Sequence, residues 1–213
     1  SEMKMTLINA HGDKTERRMS SKVLEGTDDG DKSIITFLWP ADVKDTRMLT
    51  WSHKKENDDQ WLYLPSLKRV KRISSRSKSG SFMGSEFAYE DLGSQEIEKY
   101  SYLYLRDEEL NGRKTQVLQR MPTDKKSGYS KQVVWMDVEY QQATKIDFYD
   151  RKGELLKTFT FSGHQKHGKF WRADVIEATN HQTRKRSLLN WSKRQLGVSL
   201  KADEFSKDSL QDW

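Results

Sequence analysis

Histidine is the residue type in this chain that is best suited to metal binding or acid–base catalysis. His164 and His167 lie three residues apart, but Gly163 and Gly168 flank them and place them at the tip of a predicted hairpin. The chain has no cysteine, and no carboxylate lies beside the pair to complete a zinc site. The acidic run Asp28–Asp31 lacks the spacing and the distal glutamate of an EF-hand calcium loop. We therefore predict no metal site.

Other catalytic signatures are also missing from the sequence. It contains no glycine-rich phosphate loop, no serine nucleophile elbow and no motif of paired acids. We predict that the protein is not an enzyme, that it has no catalytic residue and that it needs no cofactor.

The strongest polar feature is a basic run in the first half of the chain. Its cationic residues are Lys68, Arg69, Lys71 and Arg72. A nucleic-acid interface would use these cations on phosphates, with Trp61 or Tyr63 as a stacking platform. The run could equally be a solvated strand edge, where lysines discourage edge-to-edge pairing, or a surface attracted to anionic lipid. Composition alone leaves these three alternatives open.

The composition is that of a folded protein with a basic surplus. Among 213 residues there are 7 Trp, 8 Tyr and 8 Phe, and such a share of aromatic residues argues against disorder. The formal charge is +6, from 38 Lys and Arg against 32 Asp and Glu, which concerns association rather than fold. Without cysteine, disulfides and a lipidated N-terminal cysteine are excluded in this chain.

The sequence shows no membrane-spanning run and no signal peptide. No stretch of 18 apolar residues is present. Strand-like alternation begins almost at once, at Met3, Met5 and Leu7, so we expect that a preceding leader has been trimmed.

Strand signals recur at short intervals, each bounded by a turn such as Asp28–Asp31, Asn111-Gly112 or Arg151–Gly153. About a dozen strands linked by tight turns predict an antiparallel meander that curls into a barrel or half-barrel. The predicted strands are Met3–Asn9, Arg18–Glu25, Ser33–Trp39, Arg47–His53, Gln60–Leu64, Tyr100–Arg106, Thr115–Met121, Gln132–Val138, Lys145–Tyr149, Glu154–Ser162, Phe170–Ala178 and Thr183–Trp191.

Two kinds of segment interrupt this pattern. Ser74–Ser81 is a low-complexity loop, and Phe82–Leu92 follows it with a spacing that predicts a short helix. Ala202–Trp213 is also predicted to be helical, with Asp203 as a cap and with Phe205, Leu210 and Trp213 as anchors. Since no linker divides the chain, we predict a single domain over residues 1–213.

Several motifs together resemble a known family. The block Trp61–Ile73 is similar to the signature of outer-membrane lipoprotein-sorting proteins of the LolA-like superfamily, and Ser81–Ser85 resembles the Phe-Met-Gly-Ser motif that follows it. Val133–Asp137 and Lys145–Gly153 resemble the family's paired later strands, and Glu204–Leu210 resembles its closing segment. The resemblance spans nearly the whole chain, and the central block is its most specific part.

The resemblance implies an incomplete, strongly curved antiparallel half-barrel of about 11–12 strands, with short helices and loops as a lid. It further implies a periplasmic carrier whose apolar cavity holds acyl chains of lipoproteins or lipids, with transient membrane contact and without nucleic-acid binding. An inner-membrane RND-type exporter is an implied partner. The family's N-terminal helix has no counterpart here, because Ser1 leads directly into the first strand. The alternative function is a periplasmic sensor that recognises lipoprotein and signals to a membrane partner.

Candidate ligand-binding residues follow from this interpretation. The predicted cavity lining is Met3, Met5, Leu7, Phe37, Trp39, Met48, Trp61, Tyr63, Trp135, Ile146, Phe148 and Phe159. The predicted lid residues are Phe82, Met83, Phe87, Tyr89 and Leu92. We hypothesise that this lid fills the groove when it is empty and swings aside for cargo; the alternative is that its residues merely complete the core. The four cations of the basic run are predicted to face lipid headgroups.

Overall fold

The computed structural model describes residues 1–212, and most of them lie in antiparallel strands. Alternating aromatic, aliphatic and polar residues favour strands because they suit a pleated surface that is buried on one side. The strands are β1 (Glu2–Ile8), β2 (Lys14–Leu24), β3 (Lys32–Trp39), β4 (Arg47–Trp51), β5 (Asp59–Leu64), β6 (Arg69–Ile73), β7 (Tyr100–Leu110), β8 (Arg113–Pro122), β9 (Tyr129–Asp137), β10 (Gln142–Asp150), β11 (Leu155–His167), β12 (Phe170–Asn180) and β13 (Arg186–Ser192). Short 3₁₀ helices cover Pro65–Leu67, Tyr89–Asp91, Ile97–Lys99, Ala202–Phe205 and Asp208–Leu210.

All thirteen strands belong to one sheet, in the order β6-β5-β4-β3-β2-β1-β13-β12-β11-β10-β9-β8-β7. The chain makes two meanders, β1 to β6 and β7 to β13, and the pairing of β1 with β13 joins them. Strands β6 and β7 therefore form the two edges of a curved sheet that is not closed into a barrel within residues 1–212. The predicted half-barrel is confirmed. The strand beyond the predicted twelve is β6, which contains most of the basic run.

The predicted turns connect neighbouring strands. Asn111 and Gly112 join β7 to β8 with φ of 52° and 76°, as a two-residue type I′ hairpin requires. The segment Asp28–Asp31 lies in the longer connection between β2 and β3. The prediction that His164 sits at a hairpin tip is wrong: His164 lies within β11, and its ring stacks on Tyr140 with 4.2 Å between centroids.

The two faces of the sheet have different coverings. We call the face with the largest apolar cluster, around Met5, Phe37 and Phe148, the inner face. On the opposite, outer face, a second cluster forms where the C-terminal segment packs Phe205 and Leu210 against β3, β4 and β5. Both of these predicted anchors are fully buried.

The predicted C-terminal helix over 202–213 is wrong, because two separate 3₁₀ helices form instead. The first begins after Lys201, and Asp203 lies in its first turn rather than at the cap. Trp213, the third predicted anchor, lies outside the described residues. Within residues 1–212, no helix combines the length and apolar character needed to cross a membrane.

Candidate functional site

The segment between β6 and β7 crosses the inner face of the sheet. Because β6 and β7 are the opposite edges, residues 74–99 must run from one edge to the other. We call residues 81–92 of this crossing the plug. Its Phe82 and Phe87 side chains are 1% and 3% exposed and belong to the inner-face cluster. The other three predicted lid residues pack against the same cluster and are Met83, Tyr89 and Leu92.

The plug is a tight hairpin and not the short helix that the spacing predicted. Met83 and Gly84 at its tip have positive φ values of 49° and 74°, which a right-handed helix cannot contain. The N–H of Phe82 donates to the carbonyl of Phe87 at 2.7 Å, and the Ser85 hydroxyl donates to the Phe82 carbonyl at 2.7 Å. The Phe-Met-Gly-Ser motif thus supplies a left-handed turn between two buried phenylalanines. Only the last turn, Tyr89–Asp91, is a 3₁₀ helix.

The two phenylalanines of the plug contact different halves of the sheet. The Phe82 ring lies 5.7 Å from that of Phe37 on β3, and the Phe87 ring lies 5.3 Å from that of Phe159 on β11. Both distances are typical of favourable aromatic pairs. The plug therefore fills the space between the two meanders with aromatic side chains.

Eight of the twelve predicted lining residues lie in the inner-face cluster or pack against it. They are Met3, Met5, Leu7, Phe37, Met48, Ile146, Phe148 and Phe159. The structure brings these side chains together beneath the plug, and their contact with a ligand stays a prediction.

The other four predicted lining residues lie elsewhere, for reasons of strand geometry. Side chains alternate between the faces of a sheet, so Trp61 and Tyr63 both lie on the face opposite to Leu62, which belongs to the inner cluster. Trp61 is instead buried in the outer cluster, with Tyr63 packed against it. Trp135 follows the inner residue Val134 and forms a third cluster on the outer face.

The last of these four, Trp39, ends β3 beside a cis bond to Pro40 and is half exposed. A register shift in the pairing with β2, between Arg18 and Met19, precedes it. Trp39 therefore does not join the inner cluster, although simple alternation with Phe37 would place it there.

A buried ion pair ties the plug to β11. Lys157 Nζ and Asp91 Oδ2 are 2.7 Å apart, and each side chain is only 4% exposed. The same ammonium donates to the Glu86 carbonyl at 3.0 Å. The Tyr129 hydroxyl donates to Asp91 Oδ1 at 2.7 Å, and burial together with the neighbouring carboxylates raises the pKa of Tyr129 well above 10. A charge that is buried to this degree requires such partners.

Further polar contacts fix the tip of the plug. The N–H of Glu86 donates to the hydroxyl of Ser187 on β13 at 3.0 Å, and Asn180 on β12 donates to the Glu86 carboxylate at 2.9 Å. Arg17 on β2 donates to the carbonyl of Met83. Strands from both meanders therefore hold the same hairpin.

Polar groups also bridge the gap between the two sheet edges. The Gln60 side chain donates to the Tyr89 carbonyl at 2.8 Å, and the N–H of Gly128 donates to the Glu90 carboxylate at 2.8 Å. Lys78, within the serine-rich loop, pairs with Asp124 at 2.7 Å. Burial, and after it the neighbouring Asp91 carboxylate, raises the pKa of Glu90 to about 7.

The basic run lies at the β6 edge. Lys68 has a left-handed conformation in the turn before β6, and Arg69, Lys71 and Arg72 are exposed on the strand. The Arg72 guanidinium pairs with the Asp59 carboxylate. Of the two aromatic residues that a nucleic-acid interface would use as a stacking platform, Trp61 is buried under the C-terminal segment and Tyr63 is partly buried against the same cluster.

The sequence interpretation missed the polar residues that hold the plug. Lys157 stands two residues before Phe159, so period-two alternation places its side chain on the same face as that ring. A lysine at an apolar, inward-facing position was therefore a signal for a buried charge. The matching Asp91 offered no comparable signal, because its partner is 66 residues away in the sequence.

Comparisons with known proteins agree with this fold. A family model described only as that of an uncharacterized protein matches residues 29–212. The chain is 52% identical to a domain from Vibrio parahaemolyticus that is provisionally described as an outer membrane lipoprotein-sorting protein domain. The two structures superpose with a TM-score of 0.97, and the match covers 99% of this chain and 90% of that one.

Two further structures are similar. A DUF1329 family protein from Desulfovibrio piger is 31% identical, with a TM-score of 0.94 and coverage of 99% of this chain and 90% of that one. The LolA superfamily protein NE2245 from Nitrosomonas europaea has a TM-score of 0.77 at 21% identity, over 98% of this chain and 89% of that one, and shares the fold. No match was found among curated protein sequences. These comparisons do not support the RND-type exporter that the resemblance implied as a partner.

Proposed function

The chain belongs to the family of the DUF1329 protein and the Vibrio lipoprotein-sorting domain, with a LolA-like fold, and on that premise we propose that it is a periplasmic, non-enzymatic carrier of acyl chains from lipoproteins or lipids. The observation that supports this proposal most directly is the plug. A hairpin bearing two buried phenylalanines covers an apolar sheet face without being one of the thirteen paired strands, and polar contacts from both meanders hold it there.

In the proposed cycle an acyl chain replaces the plug on the inner face. Displacement of Phe82 and Phe87 would leave a continuous apolar surface on which methionine is well represented. Methionine suits such a surface because its unbranched thioether adapts to irregular chains. The three inner-face methionines of the predicted lining are Met3, Met5 and Met48.

The energetics of exchange favour a carrier that can also release its cargo. Burial of a sixteen-carbon chain would contribute roughly 12 kcal/mol as a gross upper bound, at about 0.8 kcal/mol per methylene. Return of the plug buries Phe82 and Phe87 again, and each phenylalanine recovers about 1.5–3 kcal/mol. The plug also restores the Lys157–Asp91 pair. The net affinity for cargo is therefore well below the gross value, which permits transfer to an acceptor.

The basic run supports transient contact with an anionic membrane surface. Arg69 and Lys71 are exposed on the β6 edge, and each basic side chain near an anionic bilayer adds roughly 1 kcal/mol of attraction. This edge adjoins the start of the crossing segment, so membrane contact would occur next to the plug.

A thiol-labelling experiment tests displacement of the plug, because the chain has no cysteine of its own. Ser85 in the plug is 1% exposed, so the thiol of a Ser85→Cys variant is protected while the plug lies on the sheet. The matched control is Thr115→Cys, because Thr115 is 2% exposed on β8 and its hydroxyl donates to the Glu108 carbonyl on β7, outside the plug. A synthetic triacylated lipopeptide should accelerate labelling of Ser85→Cys several-fold and leave Thr115→Cys unchanged.

Two other results would count against the proposal. Stoichiometric lipopeptide binding without any change in Ser85→Cys labelling would show that cargo binds somewhere other than under the plug. A lipopeptide that neither co-migrates with the protein nor alters labelling would refute the carrier function itself.

A further inference from the structure

We propose that the preferred cargo is an acyl chain that ends in an oxyanion, either a carboxylate or a phosphate, and that Lys157 receives this oxyanion when the plug leaves. The inference rests on the proposed function, since it assumes that cargo displaces the plug. It adds the chemical class of the cargo and a specificity-determining residue.

The ammonium of Lys157 lies between aromatic rings of the sheet on one side and hydrogen-bond acceptors of the plug on the other. Its Nζ lies 5.1–5.2 Å from the ring centroids of Tyr129, Phe148 and Phe159, all of them on the sheet. Both acceptors of its hydrogen bonds in the described structure, the Asp91 carboxylate and the Glu86 carbonyl, lie on the plug. Departure of the plug therefore removes the acceptors and leaves the aromatic rings.

An ammonium left in this position requires a new anionic partner. Breaking a buried ion pair by removal of one partner is strongly unfavourable, because the remaining charge is neither solvated nor paired. A neutral acyl chain could replace the contacts of Phe87 but would supply no acceptor to Lys157. A carboxylate or phosphate could replace Asp91 oxygen for oxygen, with the short hydrogen bonds typical of charged pairs.

The position of Lys157 suits the polar end of an amphiphile. It lines an open cleft of about 490 Å³ beside the plug, together with Glu86 and Asn180. The rim of this cleft has both signs of charge, and its charged residues are Arg151, Lys152, Asp150 and Glu154. Glu86 would leave with the plug, which would make the vacated end of the cleft more positive.

The path of the hydrocarbon then follows from strand alternation. Phe159 lies two residues beyond Lys157 on the same face of β11, and Phe148 pairs directly with Lys157 across the sheet. Both rings belong to the inner-face cluster. An oxyanion held by Lys157 at the cleft would therefore direct its acyl chain away from solvent, over Phe148 and Phe159.

The test compares three ligands with the same eighteen-carbon chain at pH 8, below their critical micelle concentrations. They are oleate, oleoyl-lysophosphatidylglycerol and neutral mono-oleoylglycerol. Wild-type protein should bind at least one of the two anionic ligands ten-fold or more tightly than the neutral one. Preference for oleate would identify a carboxylate, and preference for the lysophospholipid would identify a headgroup phosphate; either result supports the inference.

Variants assign the preference to Lys157. The double variant Lys157→Met with Asp91→Asn removes both charges, so that no unpaired carboxylate stays buried when the plug is in place. It should lose the anionic preference and keep its affinity for mono-oleoylglycerol. The matched control is Lys145→Met, since Lys145 also lies over an aromatic ring, Trp135 at 4.4 Å, but on the outer face. This control should bind all three ligands as the wild type does.

The outcomes separate the inference from the function on which it rests. Equal binding of oleate, lysophospholipid and mono-oleoylglycerol by wild-type protein would overturn the role of Lys157 and leave the carrier function standing. Retention of the anionic preference by the double variant would also overturn it. Failure of all three ligands and of the triacylated lipopeptide to bind would instead refute the carrier function.

Discussion

Replacement of Phe87 by alanine would measure the competition between the plug and an acyl chain. The Phe87 side chain is 3% exposed and packs on Phe159, and truncation of a buried phenylalanine costs about 3–5 kcal/mol. Because this ring belongs to the plug and not to a strand, we expect most of the cost to weaken the position of the plug on the sheet. The ladder of thirteen paired strands does not depend on it.

The predicted change in affinity has the opposite sign to the change in stability. If cargo binds only where the plug has left, the apparent dissociation constant equals the intrinsic one divided by the fraction of open molecules. A plug weakened by about 3 kcal/mol should then bind an acyl ligand about 100-fold more tightly, since 1.4 kcal/mol corresponds to a factor of ten. The gain stops when most molecules are already open.

The assay is a titration with neutral mono-oleoylglycerol, combined with urea unfolding of the same samples. The matched control is Phe205→Ala, because Phe205 is fully buried as well but lies on the outer face with the C-terminal segment. Both variants should unfold at lower urea concentration, and only Phe87→Ala should bind more tightly. Weaker binding by Phe87→Ala would refute the reasoning, because it would make Phe87 part of the binding wall rather than a competitor.

Three further predictions concern pH and packing at the plug and at the loop beside β5. The pKa of Glu90 is raised from 4.5 to about 7, so the folded state favours the protonated carboxyl. This stabilisation is complete below pH 4.5 and is lost as the pH rises through about 7. The free energy of unfolding should therefore fall by up to roughly 3 kcal/mol over this range. Urea unfolding of Glu90→Gln from pH 4.5 to 8 should accordingly show a flatter dependence than the wild type, and identical slopes would contradict this. Burial lowers the pKa of His53, but hydrogen bonds to two aspartates outweigh it and raise the pKa above 6.5. Its stabilising effect is therefore complete below pH 6.5 and declines at higher pH, and a His53→Gln variant should lose that part of the pH dependence in thermal unfolding. A Cβ at Gly128 would lie 2.7 Å from the Cβ of Ser79, so Gly128→Ala should cost about 1–3 kcal/mol in urea unfolding; an unchanged midpoint would mean that the serine-rich loop does not pack there.

Local patterns predicted the strands well because the information for them is local. Each of the twelve predicted strands overlaps an observed one, and the Asn111-Gly112 turn has the positive φ values that its residues favour. Strand β6 was missed because three of its five residues, Arg69, Lys71 and Arg72, are cations, which hides the alternation. An edge strand tolerates this composition because one of its sides faces solvent.

The assignment of residues to faces was less successful where a strand is apolar on both sides. Met48 and Leu62 point inward while Leu49 and Trp61 point outward, and all four are buried. Period two alone cannot distinguish the faces here, because the C-terminal segment covers the outer one. That covering depends on contacts between distant parts of the chain, such as the hydrogen bond from Trp51 to the Phe205 carbonyl, 154 positions away.

The plug could be located from its motif, but its conformation and its polar partners could not be predicted. The spacing of Phe82 and Phe87 fits a helix, whereas two consecutive left-handed residues make a hairpin that brings both rings to the same sheet face. Which strands lie beneath the plug depends on the pairing of β1 with β13, and local sequence does not encode this long-range contact. The residues that hold the plug come from both meanders, and only the pairing of the two meanders brings them close to it.

The proposed exchange requires one segment that can both cover the sheet and leave it, and two kinds of force act on the plug in this respect. Apolar contacts of Phe82 and Phe87 are non-directional, so an acyl chain can replace them without a matching shape. The Lys157–Asp91 pair is directional, and its separation when the plug leaves is unfavourable unless another anion takes the place of Asp91. The pair thus determines where the plug sits and, in the proposed exchange, favours a cargo that brings its own anion. In the proposed exchange the pair also leaves a charge on the sheet once the plug departs, which links the position of the plug to the kind of cargo that would replace it.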